Sequence, residues 1–181
     1  MGVCTIGYYL RKESIMRRYT TLPVPVIILT LACSMALALS VGSKAPDFQL
    51  RSVDGKSIIK LSDYSGKPTL LVFWATWCPH CRTELPVIQK VYSDLKGKGL
   101  QAIGINLDRT TKDARQFMSK NSITFPVAFA GTDKGSKVAD SYDVSGIPIT
   151  FVIDKNGKIK AVFRGDVTEK TIRDELKKLG L

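Results

Sequence analysis

Thr69-Leu70-Leu71-Val72-Phe73-Trp74-Ala75-Thr76-Trp77-Cys78-Pro79-His80-Cys81 runs from a six-residue, largely apolar segment into two thiols three positions apart. The continuous apolar run predicts a strand buried on both faces. If residues 79 onward are helical, Cys78 lies at the helix's N-terminal edge. There, unpaired backbone N–H groups and the positive end of the helix dipole stabilise a thiolate, the reactive form of cysteine. Cys81 then follows about one turn later, within reach of the Cys78 sulfur once that sulfur is bonded to a partner. Pro79 suits the first helical turn, where its missing N–H costs nothing. His80, the only histidine of the chain, places a dipole or positive charge beside the thiolate and is expected to favour it further. The pattern is that of a dithiol/disulfide redox site.

Other uses of paired cysteines fit less well. Structural zinc needs four ligands, usually from a second Cys or His pair. The remaining cysteines, Cys4 and Cys33, lie in or before an N-terminal apolar segment. Haem attachment requires His directly after the second cysteine, and Arg82 stands there. A permanent structural staple over so short a loop constrains the unfolded chain little.

Outward from the motif, Leu85, Ile88, Val91, Tyr92 and Leu95 continue at helical spacing, with Pro86 expected to kink the helix and Gly97 near its end. Leu100 to Leu107 reads as a second buried strand parallel to the first. A helix is predicted from about Lys112 to Asn121, with Ala114, Phe117 and Met118 on one side. A short strand follows at Pro126 to Ala130, then a turn or two of helix around Val138, Ala139 and Tyr142. Upstream, Phe48 to Leu50 and Ser57 to Lys60 flank Asp54-Gly55 as a hairpin. Near the end, Ile149 to Asp154 and Lys158 to Phe163 bracket Lys155-Asn156-Gly157, a second hairpin signal. Thr168 is placed to cap a last helix that buries Ile172, Leu176 and Leu179. The sum is an α/β domain with a mixed sheet covered on both faces.

The first 43 residues read as a separate unit. Arg11, Lys12, Arg17 and Arg18 precede an uncharged span from Tyr19 to Ser43, and Ala36 and Ala38 form an A-x-A arrangement. Such a layout describes a secretory signal with cleavage after Ala38. The span also exceeds the roughly 18 residues of a membrane helix, so an uncleaved anchor stays open, as does lipidation at Cys33. Met16 before Arg17-Arg18 is an alternative start. Residues 44–181 form one domain and carry +8 of the chain's formal +11, scattered rather than clustered, which reads as a solvated surface and not as a nucleic-acid interface.

Several further stretches resemble one family. Ala45-Pro46-Asp47-Phe48, Leu61-Ser62-Asp63, Phe73 to Arg82 with Glu84 and Pro86, Gly146-Ile147-Pro148 and Phe151-Val152-Ile153-Asp154 with Asn156-Gly157 are together similar to the TlpA/ResA group of extracytoplasmic thioredoxin-like proteins, within the AhpC/TSA-redoxin superfamily. The resemblance implies a thioredoxin-like fold with an N-terminal β-hairpin extension and an insertion before the strand that follows a cis-proline. It marks Pro148 as that cis-proline and the backbone of Ile147 as the edge on which a substrate segment docks, with Trp77 on the same apolar surface or partly in the core. It also marks Glu84 as linked to ionisation of the cysteines, able to take the proton of Cys81. Val72 stands where thioredoxins proper carry a buried aspartate. The Pro79-His80 pair departs from the group and resembles DsbA-type oxidases.

The expected activity is thiol–disulfide exchange with partner proteins outside the cytoplasm, in the periplasm or at the outer face of the membrane. Cys78 and Cys81 form the redox-active disulfide, with no other cofactor and no metal. By resemblance the role is that of a reductase, as in cytochrome c maturation; a DsbA-like oxidant is the alternative, and a copper chaperone using both thiols is an alternative of another class. The peroxiredoxin pattern Pro-x-x-x-Thr-x-x-Cys fails at Leu71 and Ala75. A reductase needs a membrane electron donor and an oxidant needs a reoxidant. The domain is expected to be monomeric.

Overall fold

The computed structural model describes residues 39–181; the secretory, anchoring and lipidation expectations rest mainly on residues outside that range. Seven strands and four helices follow in the order β1 (Gln49–Arg51), β2 (Ile58–Lys60), β3 (Thr69–Trp74), α1 (Pro79–Leu95), β4 (Gln101–Asn106), α2 (Thr111–Lys120), β5 (Val127–Phe129), α3 (Asp133–Ser141), β6 (Ile149–Ile153), β7 (Ile159–Arg164) and α4 (Glu169–Lys177). Strands β3 to β7 make one mixed sheet in the order β5-β4-β3-β6-β7, and β1 and β2 form a separate hairpin. This is the thioredoxin-like arrangement with a hairpin extension, and α2, β5 and α3 fill the segment before β6.

β3 lies at the centre because it can: every residue from Thr69 to Trp74 is buried. It pairs in parallel with β4, Val72 opposite Gly104, and antiparallel with β6, Val72 opposite Thr150. Alternate side chains feed two cores. Leu70, Val72 and Trp74 pack with Leu85, Ile88 and Val91 of α1 and Ile172 and Leu176 of α4. Leu71 and Phe73 pack with Phe48, Leu50 and Ile59 of the hairpin and with Val138 and Tyr142. Full burial of each large apolar side chain contributes about 1.5–3 kcal/mol, so this strand anchors both layers and gives the loop at its C-terminal end a rigid base.

The helices are set by local chemistry. Thr168 caps α4 through its hydroxyl, which accepts from Thr171 N–H, and the same helix is tied to α1 by Lys90–Glu169 at 2.5 Å and by Arg173 to Asp94. α1 continues unbroken through Pro86 to Leu95, although a proline there removes one helical hydrogen bond. Pro86 lies on the exposed side, and the helix is not interrupted there. The packed domain begins slightly before residue 44: Gly42 N–H donates to Ile159 O at 2.7 Å and Ile159 N–H to Ser43 O at 2.9 Å. The hairpin extension joins the β5 edge through Val53 N–H to Val127 O, 2.9 Å. Tyr142, fully buried, donates its hydroxyl to Pro46 O at 2.6 Å and so fastens the entering chain.

Candidate active site

At the C-terminal end of β3 the chain turns through Ala75-Thr76-Trp77 into α1. The turn is held from beneath by Asp108, buried just past β4: its Oδ1 accepts from Thr76 N–H at 2.9 Å and from Thr76 Oγ1 at 3.0 Å. Its Oδ2 accepts from Asn106 Nδ2 at 2.9 Å. Neither Asp108 nor Asn106 was singled out from sequence, although a polar Asn-x-Asp closing an apolar strand is a visible break in the pattern. Three hydrogen bonds give both oxygens of this buried carboxylate a partner and fix the loop on which the first cysteine rides.

Cys78 is the N-cap of α1, and its sulfur accepts from Cys81 N–H at 3.3 Å. That is the placement expected for a thiolate at a helix N-terminus. On its other side the thiol donates to Ile147 O at 3.6 Å. The Ile147-Pro148 bond is cis, and the N–H of Ile147 has no partner among the described residues. Pro148 is buried and Ile147 half-buried, so the backbone edge beside Cys78 is available to an incoming strand. Trp77 is 66% exposed, which resolves the question left by the sequence: it belongs to the surface and not to the core. Both cysteines are free thiols in this structure.

Behind Cys78 the site is buried. Cys81 is fully buried and Glu84 is 2% exposed, and three positions apart on α1 they share a face. Burial pushes the Cys81 thiol far above its ordinary range, reinforced by its hydrogen bond with Cys78 and by the neighbouring charges of Cys78 and Glu84. Burial likewise raises Glu84 to about 7; a hydrogen bond from Thr150 opposes the shift and the charge of Asp166 adds to it. Thr150 Oγ1 donates to Glu84 Oε1 at 2.6 Å, while Oε2 is buried with no partner. One oxygen is therefore anchored and the other is free to take a proton. Val72, opposite Thr150 across the ladder, supplies no ionisable group, and the carboxylate of this site comes from the helix.

His80 sits at the rim. Its ring Nδ1 donates to Asp166 Oδ2 at 2.7 Å, with the two side chains 70% and 54% exposed. Pro79 is exposed at the first position of α1. The sequence-predicted residues Trp77, Cys78, Pro79, His80, Cys81, Glu84, Ile147 and Pro148 thus come together at one end of the sheet; Thr150, Asp108 and Asp166 join them without having been foreseen. For Thr150 and Asp166, 66 and 86 residues from their partners, no local pattern announces the contact.

A thioredoxin-like sheet with an N-capping thiol, a buried second thiol and a cis-proline loop beside them defines a dithiol oxidoreductase. Residues 41–162 match the AhpC/TSA family, and the chain belongs to that family, as a thiol-disulfide oxidoreductase of ResA type. It is 34% identical over 142 residues to the thiol-disulfide oxidoreductase ResA of Geobacillus thermodenitrificans, covering 78% of this chain and 79% of that protein. Among solved structures, one assigned as the thiol:disulfide interchange protein DsbE of Chlorobium tepidum matches 78% of this chain and 98% of its own, with 35% identity and a TM-score of 0.70. A secreted thiol-disulfide isomerase of Corynebacterium glutamicum covers 75% of this chain and 84% of its own, with 29% identity and a TM-score of 0.67. Leu71 and Ala75, where a peroxidase pattern needs Pro and Thr, are buried and apolar.

Proposed function

We propose that this protein works outside the cytoplasmic membrane as a reductant of disulfides in other proteins, with apocytochrome c precursors as the leading substrate class. The carrying observation is the pairing of an accessible backbone edge at Ile147 with an N-capping Cys78 and a buried Cys81–Glu84 wall behind it. The Cys78 thiolate attacks one sulfur of the substrate disulfide, forming a mixed disulfide and releasing the first substrate thiolate. Cys81 then passes its proton to Glu84 and attacks the Cys78 sulfur. The protein disulfide forms, the second substrate thiolate leaves, and two electrons have moved to the substrate. The domain must then be reduced again by an electron donor in the membrane.

Export is supported by the basic, apolar and small-residue order of the N-terminal segment and by the secreted status of the Corynebacterium relative. No helix among the described residues is long and apolar enough to cross a membrane. The reading is tested in cells with Cys81→Ser in the full chain. Mixed disulfides between Cys78 and extracytoplasmic proteins are expected to accumulate and to vanish on further Cys78→Ser; the parent protein is expected to stand mainly reduced. A parent held mainly as the disulfide contradicts the reductase reading.

A further inference from the structure

Asp166 belongs to none of the motifs that mark the site, yet its chain neighbours and its own carboxylate hold it there. Gly165, at φ +85° where a side chain would be strained, donates its N–H to Pro148 O at 2.9 Å and so joins this loop to the cis-proline. Val167 on the other side is buried, and α4 beyond it is bolted to α1 through Glu169 and Arg173. The carboxylate itself meets His80 Nδ1 at 2.7 Å, in the first turn of the helix that Cys78 caps.

Nearby cations are committed elsewhere. Arg164 pairs with Asp143, Lys90 and Arg173 with Glu169 and Asp94, and Lys170 with Asp174. Arg82, two positions from His80, faces another side of α1. His80 is therefore the partner of Asp166 among the described residues, and the negative charge stands uncancelled whenever the imidazole is neutral.

We propose that Asp166 is a positioning and charge-setting residue of the dithiol site: held by His80 at the N-terminal rim of α1, it offsets the support that the helix dipole and imidazole give to the Cys78 thiolate, and so keeps the pair reducing. This rests on the reductase reading and deepens it. A histidine between the cysteines, alone, favours the reduced form and an oxidising protein. The carboxylate opposes that tendency. Exchanging carboxylate for amide removes that negative charge from the rim of α1, which favours the Cys78 thiolate and with it the dithiol. The same charge is felt in the interior, where it opposes ionisation of Glu84.

The test is the equilibrium of the full chain with glutathione, in which protein dithiol and glutathione disulfide exchange to protein disulfide and two glutathione thiols. Asp166→Asn and Asp166→Ser are expected to shift this equilibrium toward the protein dithiol by about two- to fivefold at low salt, roughly 10–20 mV toward oxidising. Asp166→Glu is expected to stay near the parent. The difference should shrink in 1 M salt, because exposed charges are screened; a purely structural loss would not. No shift, a shift toward reducing, or a shift that is the same at both salt concentrations overturns the proposal. The parent's absolute potential decides the reductase reading, whereas the difference between variant and parent decides this one, so either can fail alone.

Discussion

The interior wall and the outer rim of this site each place a carboxylate near a thiol, and the two act on different scales. Glu84 is buried with Cys81, holds one hydrogen bond from Thr150 and leaves its second oxygen unpartnered. Asp166 lies in water beside His80. Burial magnifies every charge it surrounds and shifts protons; exposure leaves only a screened field. The wall is therefore suited to moving a proton during catalysis, and the rim to adjusting an equilibrium by a small amount.

The largest expected effect breaks the wall. Glu84→Gln keeps the shape and the Thr150 contact but cannot accept the proton of Cys81. Resolution of a mixed disulfide on Cys78 should slow by on the order of 100-fold at neutral pH, measured by single-turnover quenching. Stability should move the other way. The carboxyl of Glu84 is raised from 4.5 to about 7 on folding, so the fold favours its protonated form. The stabilisation tied to that form is fully present below pH 4.5 and is lost as pH rises through 7. Relative to the parent, Glu84→Gln should gain on the order of 3 kcal/mol between pH 4 and pH 8. Urea unfolding at the two pH values checks this, and equal differences at both would contradict it.

The next effect loosens the base shared by wall and rim. Asp108→Ala strips Thr76 of the acceptor for its N–H and hydroxyl. Leaving such groups unsatisfied costs about 2 kcal/mol, to be read as a lowered urea midpoint together with faster hydrogen exchange at Thr76. An unchanged midpoint would mean that water replaces the carboxylate.

Much of this arrangement was legible in the chain. The fully buried strand at Thr69–Trp74, the helix that follows and the hairpin at residues 149–164 are local patterns, and local patterns survive folding. The cis state of Pro148 came from resemblance, since nothing in the residues themselves demands it. What the chain did not reveal are side-chain partnerships across distant segments: Thr76 with Asp108, Glu84 with Thr150, His80 with Asp166. Periodicity describes which face a residue takes, and these pairs depend on where two faces meet. The same reason explains Trp77, whose apolar ring pointed to the core or the surface with equal force until the fold left it outside.

A smaller effect belongs to the surface. Trp77→Ala should lower kcat/KM for a protein disulfide by about tenfold, as expected for loss of an exposed aromatic anchor, while leaving the rate with a small disulfide such as oxidised glutathione unchanged. An equal fall for both substrates would place the ring in the chemistry and not in docking. The rim substitutions at Asp166 are expected to have the smallest effects.

The central claim is that the buried carboxylate takes the proton of the buried thiol. Its most direct measurement is the rate of Cys81 attack on a preformed mixed disulfide at Cys78, followed from pH 5 to pH 9 in the parent and in Glu84→Gln. The parent should show a rise centred near pH 7, where Glu84 becomes ionised, and the variant should lack it. The same inflection in both proteins would show that the proton leaves by another route.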